Sequence, residues 1–154
     1  MQPTFDILRR IISPRTLPDA TRTRGVRAGP RRGDGMASAK KILIVDDNVD
    51  AADLTAEMLR LYGHEVDVAY GGPEGLAAAR AIAPSVIFLD IGMPEMDGYQ
   101  VAAALRADEA FRGVKIVALT AWGDAAAREK SKAAGFDLHL TKPANFHNLL
   151  DIAQ

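Results

Sequence analysis

Lys41-Ile42-Leu43-Ile44-Val45-Asp46-Asp47-Asn48 is the stretch from which the fold can be read. Its unbroken apolar run suits a strand buried on both faces, as in a parallel sheet covered by helices. The run stops at two aspartates and an asparagine, so acids stand at the carboxyl end of the strand.

Outward from this strand, helical spacing follows, with Leu54, Met58 and Leu61 on one face and Asp53, Glu57 and Arg60 elsewhere, until Gly63 supplies a left-handed stop. A second strand over 64–70 alternates Val66 and Val68 with polar neighbours. Gly71-Gly72-Pro73 turns the chain into a helix running to about residue 81, with Pro73 tolerated in its first turn. Residues 85–90, Ser-Val-Ile-Phe-Leu-Asp, repeat the pattern of an apolar strand ending in an acid. A loop over 91–98 leads to a helix carrying Val101, Ala104 and Leu105. A fourth strand spans 114–120, a helix about 124–134 stopped by Gly135, a fifth strand 138–141, and a short closing helix 145–152. Five strand-then-helix units with strands too far apart for hairpins imply an α/β fold, with parallel pairing through right-handed crossovers and helices covering the sheet.

Ligands of such sheets bind outside the carboxyl ends of the strands. Asp46 and Asp47 after the first strand, Asp90 after the third, Thr120 after the fourth and Lys142 after the fifth are therefore expected to converge. Carboxylates that close repel by about 4 kcal/mol per pair at about 4 Å and an effective dielectric near 20, so the cluster needs a cation. The donors are all oxygens, which selects Mg2+, held by one or two carboxylates and keeping waters that a phosphate can replace. Lys142 adds a compact positive charge and Thr120 a hydroxyl donor. With no cysteine and no Ser-His pair in evidence, a carboxylate is the expected nucleophile, and carboxylates do form acyl phosphates. Asp90 is chosen because its strand should lie centrally, which leaves Asp46 and Asp47 to hold the metal.

Composition bounds the rest. Residues 1–38 carry eight arginines against three aspartates, whereas residues 39–154 carry eleven basic and seventeen acidic side chains. The first segment is rich in Pro, Gly and Arg and cannot build a core, so it is expected to be a basic, disordered extension joined to a domain over 39–154. Three readings of it are open: a flexible tail, a segment that binds nucleic acid or anionic lipid, or an over-extended start with translation beginning at Met36. Composition favours a non-structural tail or the later start. No apolar run approaches the roughly 20 residues of a membrane helix, so no membrane contact and a cytoplasmic location are expected.

Four segments resemble the signatures of bacterial response-regulator receiver domains: 41–48, KILIVDDN; 88–98, FLDIGMPEMDG; 118–121, ALTA; and 141–143, TKP. None is specific alone; their order and spacing together are. The resemblance covers about residues 40–154. It implies a flavodoxin-like, doubly wound five-stranded parallel sheet, (βα)5, with strand order 2-1-3-4-5. It also implies that Asp90 takes phosphate from the phosphohistidine of a sensor histidine kinase or a histidine phosphotransfer protein. By the same resemblance Asp47 binds Mg2+ directly, Asp46 binds it chiefly through water, Gly92 adds its backbone carbonyl, and Thr120 and Lys142 contact the phosphoryl group. The bond before Pro143 is implied to be cis, aiming Lys142 into the site. Ala121, Trp122 and His139 fall at switch or tuning positions. His139 departs from the usual aromatic, and the 136–143 segment looks most like receivers of hybrid histidine kinases. Trp122 stands where the family tunes access of the hydrolytic water, and its bulk is expected to slow loss of the phosphoryl group.

Blander readings compete at single positions. Asp46 or Asp47 alone is more often a helix cap than a metal ligand. His64 and His147 read as surface or structural residues, Met93 and Met96 as loop packing, and Asp97-Gly98 as a turn with Asp97 capping the next helix. Two enzyme or carrier alternatives exist. A haloacid-dehalogenase-type phosphatase needs Asp-x-Asp after its first strand, where Asn48 stands at the second acid; a flavin carrier would meet Asp46 and Asp47 at its phosphate loop. A phosphorylation-independent scaffold is argued against by the intact acid, threonine and lysine set. The expected role is thus a signalling domain, not an enzyme, catalysing only its own phosphorylation and dephosphorylation. With nothing after Gln154 to bind DNA, its output is expected to run through contacts of the 124–153 face with an unknown downstream protein, as a monomer or a phosphorylation-dependent dimer.

Overall fold

The computed structural model describes residues 39–154; the proposed basic extension over 1–38 lies outside the described residues. Five strands, β1 (Lys41–Val45), β2 (Glu65–Ala69), β3 (Val86–Asp90), β4 (Lys115–Thr120) and β5 (Leu138–Thr141), pair in parallel in the order β2-β1-β3-β4-β5. This is the doubly wound sheet and the strand order that the sequence implies. Between them run α1 (Val49–Leu61), α2 (Gly72–Ile82), α3 (Gly98–Arg106) and α4 (Ala125–Ala134), and α5 (Phe146–Ala153) closes the chain.

Side chains alternate across a strand, so each central strand feeds two cores. Ile42, Ile44, Val86, Phe88, Val117 and Leu119 pack with Ala52, Ala56 and Leu59 of α1 and Leu149, Leu150 and Ala153 of α5. Leu43, Val45, Ile87, Leu89, Ile116 and Ala118 pack on the other face with Ala79 of α2 and Val101, Ala102 and Leu105 of α3. Each fully buried Leu, Ile or Phe contributes about 1.5–3 kcal/mol of hydrophobic stabilisation. That is why all five residues of β3 are buried and apolar except its terminal Asp90.

Two helix faces differ from the sequence expectation. On α1 the buried residues are Ala52, Ala56 and Leu59, while Leu54 is 45% and Leu61 66% exposed. The set 52, 56, 59 is itself helical in spacing. The small Ala52 and Ala56 let the helix lie close to the sheet with Leu59 buried beside them, so Leu54 and Leu61 turn outward. On α3 the buried residue is Ala102 rather than Ala104, beside Val101 and Leu105. His64 is buried and structural, its Nδ1 accepting from the Lys40 amide at 3.2 Å. Val114 lies just before β4, its amide bonded to the Phe111 carbonyl of the preceding turn.

Candidate functional site

The chain leaves β1 to form β2 on one side and returns to form β3 on the other, so the carboxyl ends of β1 and β3 flank the crevice where the strand order reverses. Asp46 follows β1 and Asp90 ends β3, and both are buried, at 3% and 6% exposure. Asp47 follows Asp46 and is exposed. One carboxylate oxygen from each of Asp46, Asp47 and Asp90 lies within 4.8 Å of the others. An all-oxygen trio of this kind is a donor set that a hard divalent cation takes.

Local structure fixes each member. Asp46 Oδ1 accepts the Asn48 amide at 2.9 Å, and the Asn48 side chain caps α1 by accepting from the Ala51 amide at 3.1 Å. The asparagine is therefore committed to the helix start. Asp90 Oδ1 accepts from the Gly92 amide at 3.3 Å. Behind it the backbone is crowded: a Cβ on Gly98 would stand 2.5 Å from the Asp90 carbonyl oxygen, so only glycine allows α3 to begin there. Asp97 caps that helix in a reciprocal capping box with Gln100. Met93 is buried in the core on the α2–α3 face and Met96 packs against it.

Lys142 enters from the end of β5. Its Nζ lies 2.9 Å from Asp46 Oδ2 and 3.2 Å from Asp90 Oδ1, and the peptide joining it to Pro143 is cis. The Lys142 amide donates to the Thr120 carbonyl at 2.7 Å, which brings the ends of β4 and β5 together. Thr120 is buried, and its Oγ1 accepts the Trp122 amide at 3.0 Å. Ala121 and Trp122 are exposed, Trp122 at 71%, and the indole borders a groove shared with Gly92, Met93 and Tyr99. His139 is half-buried, with Nε2 2.9 Å from the Trp122 carbonyl and Nδ1 2.9 Å from Ser131 Oγ. The sequence does not single out Ser131, because nothing local marks a serine in an alanine-rich helix as the partner of a histidine in the next strand. His147 is exposed and lies outside this cluster.

Burial pushes the Asp90 carboxyl up to about 6, helped by the charge of Asp46 and a hydrogen bond with Asp47 and opposed by Lys142. Burial pulls the Lys142 ammonium down, but its hydrogen bond and charge interaction with Asp46, and those with Asp90, outweigh it and leave the group raised. The site thus pairs one cation with three acids and retains a net demand for positive charge.

A family model described as the response regulator receiver domain matches residues 42–154. The DNA-binding dual master transcriptional regulator RpaA of Synechocystis is 34% identical over 110 residues, covering 71% of this chain and 46% of RpaA. Hybrid signal transduction histidine kinase D of Dictyostelium discoideum is 36% identical over 109 residues, covering 71% of this chain but 7% of that protein. The chain thus spans about half the length of the first relative and a small part of the second. Identity to the hybrid kinase is level with identity to transcriptional regulators, so the expected special likeness to hybrid-kinase receivers is minor. Among solved structures, the chemotaxis protein CheY4 of Vibrio cholerae superposes with a TM-score of 0.71 at 31% identity, covering 75% of this chain and 96% of CheY4.

Proposed function

This chain belongs to the response-regulator receiver family of two-component systems, and on that basis we propose that Asp90 accepts a phosphoryl group from a phosphohistidine and that the product acts through protein contacts. The observation that carries this reading is the convergence of Asp46, Asp47 and Asp90 with Lys142 at the switch point of the sheet.

Asp90 supplies the nucleophile. Its oxygen forms the new bond to phosphorus as the bond from phosphorus to the donor's ring nitrogen breaks, and the donor leaves as imidazole. Lys142 stands 3.2 Å from Asp90 and can follow the charge as it spreads onto the phosphoryl oxygens. The Thr120 hydroxyl, whose oxygen already accepts from Trp122, keeps its own proton to donate to one of them. Asp46, Asp47, Asp90 and the Gly92 carbonyl are the groups assigned to hold Mg2+. When bound, that ion neutralises charge on the transferring group. Phosphorylation adds about −1.5 to −2 of charge, enough to bias the loops and helix faces around the site.

The phosphatase alternative loses support because Asn48, at the position its second acid would need, caps α1. The flavin alternative meets the like charge of Asp46 and Asp47 at the place a flavin phosphate would occupy. Partners follow the same reading: a sensor histidine kinase or histidine phosphotransfer protein as donor, and a downstream protein docking on the face built by α4, β5 and α5. No helix among the described residues is long and apolar enough to cross a membrane.

Incubation with acetyl phosphate, with and without Mg2+, followed by intact mass tests the assignment. A gain of about 80 Da, the mass of the added group, is expected with Mg2+ and lost in Asp90→Ala. Labelling that persists in the variant places the chemistry elsewhere.

A further inference from the structure

We infer that Gly72 is a positioning residue for the phospho-acceptor site: because it has no side chain, the loop after Asp90 lies against the first turn of α2, and that contact holds Gly92 in place beside Asp90. The inference rests on the reading of Asp90 as phospho-acceptor and of Gly92 as a metal ligand.

The loop over 91–97 is built from two tight turns. The Met93 amide donates to the Ile91 carbonyl at 3.0 Å around Gly92, and the Met96 amide donates to the Pro94 carbonyl at 2.8 Å around Glu95. Ile91 and Met93 are buried while Gly92 between them is exposed, so the first turn presents Gly92 outward, its amide 3.3 Å from Asp90 Oδ1. At the root of the loop, the Gly98 amide returns to the same Ile91 carbonyl at 3.0 Å.

The second turn is strained. Glu95 has a φ of 67°, the left-handed form of a three-residue turn, which a residue with a side chain adopts at a cost. Glu95 is exposed, so burial of its own side chain does not offset that cost. Strain of this kind persists where the surroundings over-determine it. Here the surroundings are α2. A Cβ on the buried Gly72 would stand 2.7 Å from both the Cβ and the carbonyl oxygen of Met96. Met96 also packs against the core on the α2–α3 face, so the residue that follows the strained turn is held from two directions.

The same helix turn lies equally close to β1. A Cβ on Gly75 would stand 2.8 Å from a Val45 methyl carbon, and Val45 precedes Asp46. The start of α2 therefore abuts the chain on its way into Asp46 and on its way out of Asp90. A carbonyl oxygen and a Cβ cannot swing aside as the end of a long side chain can, so a side chain at position 72 has to displace the loop. Gly71 differs: the atom nearest an added Cβ there is a carboxylate oxygen of the exposed Glu74, which side-chain rotation clears. Neither glycine has a positive φ, so alanine fits the backbone at both, and the two neighbours make a matched pair.

Full-length wild type, Gly72→Ala and Gly71→Ala are compared by Mg2+ titration and by amide NMR of the metal-free protein. Gly72→Ala is expected to weaken Mg2+ binding roughly tenfold, the scale for losing a group that orients a metal ligand, and to shift the Gly92 and Met93 amide resonances before any metal is added. Gly71→Ala is expected to bind Mg2+ as the wild type does, with those resonances unmoved. A Gly72→Ala protein with wild-type affinity and resonances overturns the inference. So does a Gly71→Ala protein as impaired as Gly72→Ala, which would trace the loss to the start of the helix and not to Met96. A nuclear Overhauser contact between the Gly72 α protons and the Met96 β protons of the wild type is expected and needs no variant to fold; its absence is fatal. A wild type that takes up neither Mg2+ nor a phosphoryl group from acetyl phosphate sinks the Asp90 reading instead, while the Overhauser contact and the metal-free resonances still decide whether Gly72 holds the loop.

Discussion

The Lys142 ammonium donates to Asp46 across 2.9 Å, joining residues 96 positions apart. It lies nearer to this acid than to Asp90, at 3.2 Å. The lysine thus stands in for part of the positive charge that the three acids demand, and this sets what its removal should do.

In Lys142→Met, the buried Asp46 loses its cation while two other carboxylates stay close. The metal-free protein should lose about 1–2 kcal/mol near neutral pH, below the full cost of breaking a buried pair because Lys142 is partly exposed. Mg2+ should restore most of the loss, since it supplies the missing charge. Urea unfolding with and without Mg2+ measures both effects. Equal losses in the two conditions would show that the lysine's role is not electrostatic.

Asp90 gives a pH dependence of defined sign. Its carboxyl rises from 3.8 to about 6 on folding, so the folded state holds the proton more tightly than the unfolded one. The contribution of that proton is full below about pH 4 and is lost as pH rises through about 6. Asp90→Asn removes the ionisation, so the metal-free variant should exceed the wild type by on the order of 2 kcal/mol at pH 7.5 and draw level near pH 4. Thermal melts of both proteins across this range measure the difference; a gap that does not shrink on acidification rules out the Asp90 ionisation as its cause.

The buried face of α1 can be checked by two leucines. Leu59 is fully buried, so Leu59→Ala should cost about 2–5 kcal/mol, the transfer loss plus a cavity. Leu61 is 66% exposed, and Leu61→Ala should stay within about 0.5 kcal/mol. Denaturant midpoints separate them. Equal costs would mean that α1 is rotated about its axis, with Leu61 and Leu59 sharing the buried face.

The Trp122 indole borders a groove beside Met93 and Gly92, the residue whose carbonyl is assigned to the metal. Trp122→Ala should shorten the lifetime of the phosphorylated protein severalfold by opening a path for water, with little change in the rate of phosphorylation by acetyl phosphate. The decay of phosphorylated protein by intact mass decides it, and an unchanged lifetime would falsify the shielding role.

Local signals explain why so much was legible. The apolar runs of β1 and β3 each end in an acid, and a strand's end in an α/β sheet is a place as well as a residue number. Asp46, Asp47, Asp90, Thr120 and Lys142 could therefore be expected at one edge from chain order alone. Helix stops were equally local: Gly63 and Gly135 adopt positive φ of 91° and 103°, which glycine alone reaches without cost.

The amino-acid sequence by itself determined the alternation of strands and helices, the residues at the strand ends and the family signature, because periodicity and chain order carry that information. Only the tertiary structure decided that Ala52, Ala56 and Leu59 rather than Leu54 and Leu61 face the sheet from α1, that Lys142 leans toward Asp46, and that His139 reaches both Ser131 and Trp122. These outcomes depend on which surfaces meet across tens of residues. Spacing along one segment records its own period; the partner it packs against is set by the rest of the chain.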